Sequence, residues 1–257
     1  MKPALKYALL GAGAALLLTV FILGRIGSGN LRHITTCHSL EVIITDSLQR
    51  RFVSREDVRD YLRDYGDYKG QRLDSVDLCR METILEGKSA IKKSDCYLTD
   101  DGTLHVLITQ RAPVVRFQKG AEGFYSDETG FIFPLHKSFT SMVPVIDGDI
   151  PIQAGNGFKG EPRTEAEREW LRSVLALVER MKGQGGWEDV ICQISVGKGG
   201  NITMIPREGP ELFLFGQPSG IEGKFSRMRK YYETIAPLEK EYTIVDVRNE
   251  GQIVCRK

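Results

Sequence analysis

The chain of 257 residues contains little that points to chemistry. Its five cysteines, Cys37, Cys79, Cys96, Cys192 and Cys255, are odd in number and include no CxxC pair, which excludes the usual zinc spacing and argues against a disulfide framework. They read as isolated small buried hydrophobes, with a Cys79 to Cys96 bridge as the one pairing that export would allow. The four histidines, His33, His38, His105 and His136, lack metal-ligand spacing and read as surface residues. The glycines of "GKGG" at 197–200 lack the spacing of a phosphate loop, and no G-x-S-x-G elbow occurs. Asp127, Glu128, Asp147 and Asp149 stand in turn sequences, where Asp is favoured for backbone reasons. A formal net charge of +1, with no dense Lys/Arg run, gives no electrostatic reason to bind nucleic acid. No motif supports an enzyme, and no metal, cofactor or small-molecule substrate is expected; triads and carboxylate pairs assemble from distant residues, so an anchored envelope enzyme with a polar cleft stays open at this point.

What is present is a core. An apolar content of 41% with 27% charged residues is that of a folded protein, long enough for one large or two ordinary domains. Tyr7 to Gly24 carries no charge, and about 18 residues at about 1.5 Å each make roughly 27 Å of helix. Lys6 and Arg25 can reach outward to complete a bilayer core of about 30 Å. This predicts an uncleaved transmembrane helix over 7–26, after a short end at 1–6; a cleavable signal peptide is the rival, with Gly27 and Gly29 as a weak cleavage site. Lys2 and Lys6 before the span and Arg25, Arg32 and His33 after it leave orientation open.

A tether is expected over 27–36, a first domain over 37–111 and a second over 112–257. In the first, "LEVIITDSL" alternates as a strand. Ser54 is an expected N-cap with Asp57 three residues on, and Val58, Tyr61, Leu62 and Tyr65 share one helix face. A second helix is expected from Asp74 or Ser75, burying Leu78, Met81 and Leu85 and ending at a left-handed Gly87. Two strands, "IKKSDCYLT" and "TLHVLITQ", then join through the "DDG" turn at 100–102. The order strand, helix, helix, strand, strand is an α+β unit.

The second domain reads as mixed α+β. Its predicted elements are a hairpin around Asp127 to Gly130, a short strand in "VPVIDGDIP", and a helix opened by the Thr164/Glu167 capping box that carries Leu171, Val174, Leu175, Val178 and Met181. Strands at "DVICQISV", "NITMIP" and "ELFLFG" follow, then a helix with Phe225, Met228, Tyr232 and Ile235 that is ended by Pro237. Arg227, Arg229 and Lys230 on that helix read as a solvated face. "YTIVDVRNEGQIVCRK" closes the chain as a β-hairpin turning at Asn249 to Gly251, and its last strand presents an edge that must be blunted or used.

The first unit resembles a POTRA domain, with "FVSREDVRDYL" similar to that domain's first helix and "GTLHVLITQRAPVVRF" to its last strand. Continued through "GFYSDETGFIFPL", "VPVIDGD" and the terminal D-x-R strand, nearly the whole chain resembles the FtsQ/DivIB family of bacterial cell-division proteins, in a Bacteroidetes-like form. The resemblance implies a non-enzymatic, single-pass inner-membrane scaffold of the divisome, with a cytoplasmic N-terminus and a periplasmic bulk. It implies FtsB/FtsL-type partners, a strand of which adds to the terminal hairpin at Tyr242, Ile244, Asp246 and Arg248 and at Gly251, Gln252, Ile253 and Val254. Arg227, Arg229 or Lys230 would meet partner carboxylates. Recruitment to the septum is implied for the POTRA part, at Ser54, Val58, Tyr61 and Leu62. Asn249 departs from the aromatic that relatives often place after the Arg. The alternative is a POTRA-bearing envelope or outer-membrane assembly or secretion factor that binds client polypeptides; its usual several POTRA units or C-terminal barrel are not visible in the sequence.

Overall fold

A computed structural model of the chain describes residues 14–22, 35–48, 50–120, 122–136, 139–155, 157–183, 186–238 and 242–257. Residues 14–22 are helical. The rest of the span expected over 7–26 and most of the 27–36 tether lie outside the described residues, and among those described no helix is long and apolar enough to cross a membrane. From Thr35 onward the chain forms two compact units that divide after Gln110.

The first unit is a three-stranded sheet with two helices: β1 (Ser39–Ile44), α1 (Arg55–Tyr61), α2 (Leu78–Glu86), β2 (Ile91–Leu98) and β3 (Thr103–Gln110). The strand order is β1-β3-β2, with β1 parallel and β2 antiparallel to β3. Alternation sets the inner face, where Val42, Leu104, Val106 and Ile108 are buried with Val58, Leu62, Met81 and Leu85 from the helical segments. Ser54 caps α1 in a reciprocal box with Asp57, the Ser54 N–H donating to Oδ2 at 2.8 Å and the Asp57 N–H to Ser54 Oγ at 3.1 Å. The α1 helix then tightens to a 3-10 turn at Leu62–Asp64.

Two expectations need correction in this unit. The second helix starts at Leu78, capped by Asp77, because a separate 3-10 turn occupies Leu73–Ser75 and Val76 is extended. Gly87 ends the helix in the right-handed region at φ −62°, so no left-handed cap is needed. The turn after β2 does require its glycine: Gly102 has φ +90°, and a Cβ there would collide with the His38 ring and the Thr36 carbonyl.

The second unit is a nine-stranded sheet in the order β12-β11-β10-β9-β8-β7-β4-β5-β6. Its strands are β4 (Pro113–Lys119), β5 (Glu122–Asp127), β6 (Ile132–Pro134), β7 (Val145–Gly148), β8 (Ile191–Gly197), β9 (Asn201–Pro206), β10 (Leu212–Gly216), β11 (Ile244–Asp246) and β12 (Val254–Arg256). Two crossovers carry the long helices: α3 (Glu165–Lys182) between the parallel strands β7 and β8, and α5 (Ile221–Thr234) between the parallel strands β10 and β11. A one-turn helix, α4 (Trp187–Val190), precedes β8, so the stretch expected as one strand from Asp189 begins as helix and extends only from Ile191.

Thr164 and Glu167 form the expected capping box of α3, and Leu171, Val174, Leu177, Val178 and Met181 point into one core shared with Phe213, Phe215, Phe225, Met228 and Val245. Leu177, not among the residues expected on the buried face, is buried, whereas Leu175, which was, is only half-buried. Cys37 and Cys96 are buried, whereas Cys79 and Cys192 are exposed and Cys255 is intermediate, and all five are free thiols. The reading of the cysteines as uniformly buried hydrophobes is corrected for those three.

Candidate partner-binding edge

The two ends of the large sheet differ. At one end, β6 is only three residues long, stops at Pro134, and its outer side is occupied: the Ile132 N–H donates to Gly160 O at 2.8 Å and the Gly160 N–H returns to Ile132 O at 2.9 Å. Proline and a covering loop are the usual means of closing an edge. At the other end stands β12, antiparallel to β11 in the register Ile244 to Arg256, Val245 to Cys255 and Asp246 to Val254, with no strand beyond it among the described residues.

The sequence placed Gly251, Gln252 and Ile253 on the last strand, and Tyr242 and Arg248 on the one before. The strands are shorter, so Gly251 to Ile253 belong to the connection, with Gly251 at φ +71°, while Tyr242 and Arg248 flank β11. Tyr242 and Ile253 are half-buried against the core. Asn249 and Gln252 are exposed in the connection, the Gln252 N–H donating to Asn249 O at 3.4 Å.

Arg248 is folded back. Its Nη2 and Nε donate to the two Asp246 carboxylate oxygens at 2.5 and 2.9 Å, its own N–H donates to Oδ1 at 3.1 Å, and its aliphatic stem packs so close to Gly216 that a Cβ there would lie 3.0 Å from it. Asp246 is 5% exposed, and the Arg248 hydrogen bonds hold its carboxyl below the usual carboxylate range. The D-x-R pair therefore fixes the end of β11 through a bidentate contact.

The α5 cations divide by position. Arg227 Nε donates to Val247 O at 2.9 Å, so this residue ties helix to strand. Arg229 and Lys230 are exposed. Lys224, which the sequence reading passed over, is 7% exposed, donates to Gln217 O at 2.7 Å and lies 4.9 Å above the Phe215 ring; burial lowers its pKa.

The open face beside the edge was also missed. Register aligns Leu212 with Ile244 and Arg256, and Leu214 with Asp246 and Val254, across β10, β11 and β12. Leu212 and Val254 are 38% and 37% exposed, and Ile205, Leu214 and Ile244 are intermediate. These residues stand on the side opposite the helices, to which Phe213, Phe215 and Val245 turn. "LFLF" carried the signal: a strand with helices on one face and solvent on the other alternates apolar and polar, and β10 is apolar on both.

In the first unit, the four residues expected to act in recruitment divide by burial. Val58 and Leu62 are core residues at 0% and 1% exposure, Ser54 is engaged in the α1 cap, and Tyr61 is half-buried, with Lys88 Nζ 4.9 Å above its ring. Gln110 and Arg111, within the stretch "GTLHVLITQRAPVVRF", hold structure. Gln110 accepts the Val53 N–H at 2.9 Å and donates to Asp46 Oδ1 and Arg50 O at 3.0 and 2.9 Å. Arg111, within the second unit, pairs with Asp127 at 2.9 Å over the Phe131 ring, and Asp127 also accepts the Thr129 and Phe131 N–H groups at 3.0 Å each. Among the described residues no group of three His, Cys, Asp or Glu could hold a metal ion.

Comparison with known proteins agrees with this architecture. Residues 112–256 match the family model described as FtsQ/DivIB, C-terminal related, and residues 35–109 match a POTRA-like domain. No curated protein matches the chain.

Proposed function

The chain belongs to the FtsQ/DivIB family, and we propose that it is a non-enzymatic, single-span inner-membrane scaffold of the divisome whose β12 edge receives a strand from an FtsB/FtsL-type partner. In this reading 7–26 cross the membrane, the first six residues are cytoplasmic, 37–111 act in recruitment and 112–257 bind partners in the periplasm. The observation that supports it is the asymmetry of the large sheet: β6 is closed by Gly160 and Pro134, while β12 is uncovered among the described residues and bordered by an apolar open face. Strand addition supplies affinity through the main chain and specificity through alternate side chains. Here those side chains meet Ile244, Val254, Leu212 and Leu214 on one face, with Arg229 and Lys230 as exposed cations on α5.

The partner assay uses an FtsB/FtsL-type pair with the full chain and a Leu212→Ser/Leu214→Ser variant. Both leucines are already partly covered, so their further burial contributes about 1 kcal/mol each, and the pair is expected to cost roughly thirtyfold in Kd. An unchanged Kd with an intact fold removes the open face from the interface.

A further inference from the structure

The sheet of the first unit also ends in an edge, and β2 is closed there by side chains rather than by backbone. The Ser94 N–H donates to Glu86 Oε1 at 3.0 Å and the Cys96 N–H to Glu82 Oε1 at 2.8 Å. The fit follows from the two repeats. Glu82 and Glu86 are one turn apart on α2, about 6 Å along its axis, and Ser94 and Cys96 are two residues apart on β2, about 6.8 Å. The helix runs antiparallel to the strand, so Glu86 meets Ser94 and Glu82 meets Cys96. Ser94 Oγ adds a bond to Glu82 O at 3.3 Å. Burial, followed by the Glu82 carboxylate, pushes the Cys96 thiol up to about 12.

These N–H groups point away from β3, so they are the donors that an added strand would use. We propose that Glu82 and Glu86 form a carboxylate latch over the β2 edge, and that the strand it keeps out is β2 of a second copy of this chain. The charge pattern names that occupant. Lys93 and Asp95 flank Ser94, and both are exposed. In an antiparallel pair of β2 strands centred on Ser94, each Lys93 stands opposite the Asp95 of the other copy, and the hydrogen-bonding positions Ser94 and Cys96 face outward in both. Such a pair is two-fold symmetric and self-complementary. Within one chain the same charges are turned on each other, Lys93 Nζ donating to both Asp95 oxygens at 2.7 and 2.8 Å. The latch belongs to the first unit and does not depend on the partner proposed for the β12 edge.

Sedimentation velocity on the full chain in detergent tests this with Glu82→Ala/Glu86→Ala and with the same double change carrying Ser94→Pro. The double variant is expected to dimerise at least about tenfold more tightly than the unaltered chain, about 1.4 kcal/mol. The proline removes the central donor and is expected to return association to the starting level. Far-UV circular dichroism follows the fold, and if the double change unfolds the unit, the exposed Glu86→Ala alone, which frees only the Ser94 N–H, carries the same comparison. Equal association of the unaltered and latch-free chains would overturn the proposal, as would association that persists with proline at 94.

Discussion

At the scale of residues, the aspartates show how much a turn sequence conceals. Asp127 sits where the sequence expects a turn and accepts the Thr129 and Phe131 N–H groups as a turn aspartate does, but its carboxylate also binds Arg111, a role visible only once β4 and β5 are paired. Asp246 read as a strand residue and is nearly buried beneath Arg248. Because its carboxyl is held below the usual range in the folded chain, its contribution to stability is complete above the unfolded value near 3.9 and is lost as pH falls through the lower folded value. The stability difference between the unaltered chain and Asp246→Asn is therefore expected to be constant around neutrality and to shrink below about pH 4, in urea unfolding followed across pH. A difference that grows on acidification would mean that the Arg248 contact does not set the shift.

At the scale of elements, periodicity gave most of the helices and strands, because capping boxes at Ser54 and Thr164 and alternation in β3 are local signals. Boundaries near the terminal hairpin were less legible, since β11 and β12 are only three residues each and their lengths depend on what pairs with them. A three-residue edge offers roughly two to four backbone hydrogen bonds, about 1 to 6 kcal/mol net, whereas micromolar binding needs about 8 kcal/mol. The edge therefore needs side chains, from the apolar open face and from the α5 cations. Arg227 is spent on Val247 O, so the two arginines separate function from folding. Arg229→Glu is expected to slow partner association several-fold, less so at high salt, with unchanged stability, and Arg227→Glu to lower stability; stopped-flow association and urea midpoints measure both. Equal effects of the two changes would contradict this division.

At the scale of the whole molecule, order along the chain was more informative than any motif. The strand, helix, helix, strand, strand unit and the strand-rich second unit could be read from the sequence because each element carries its own period. The parallel pairing of β10 with β11, the nine-strand order and the closure of β6 by Gly160 could not, since they are set by contacts distant in sequence. These unread features distinguish the two ends of the large sheet and make β12 the candidate docking edge. The most direct measurement is the affinity of an FtsB/FtsL-type pair for the full chain and for a chain ending at Arg248, with circular dichroism on both. The account predicts that the shortened chain stays folded and loses binding by a hundredfold or more, about 2.7 kcal/mol. Equal affinity of two folded chains would contradict it.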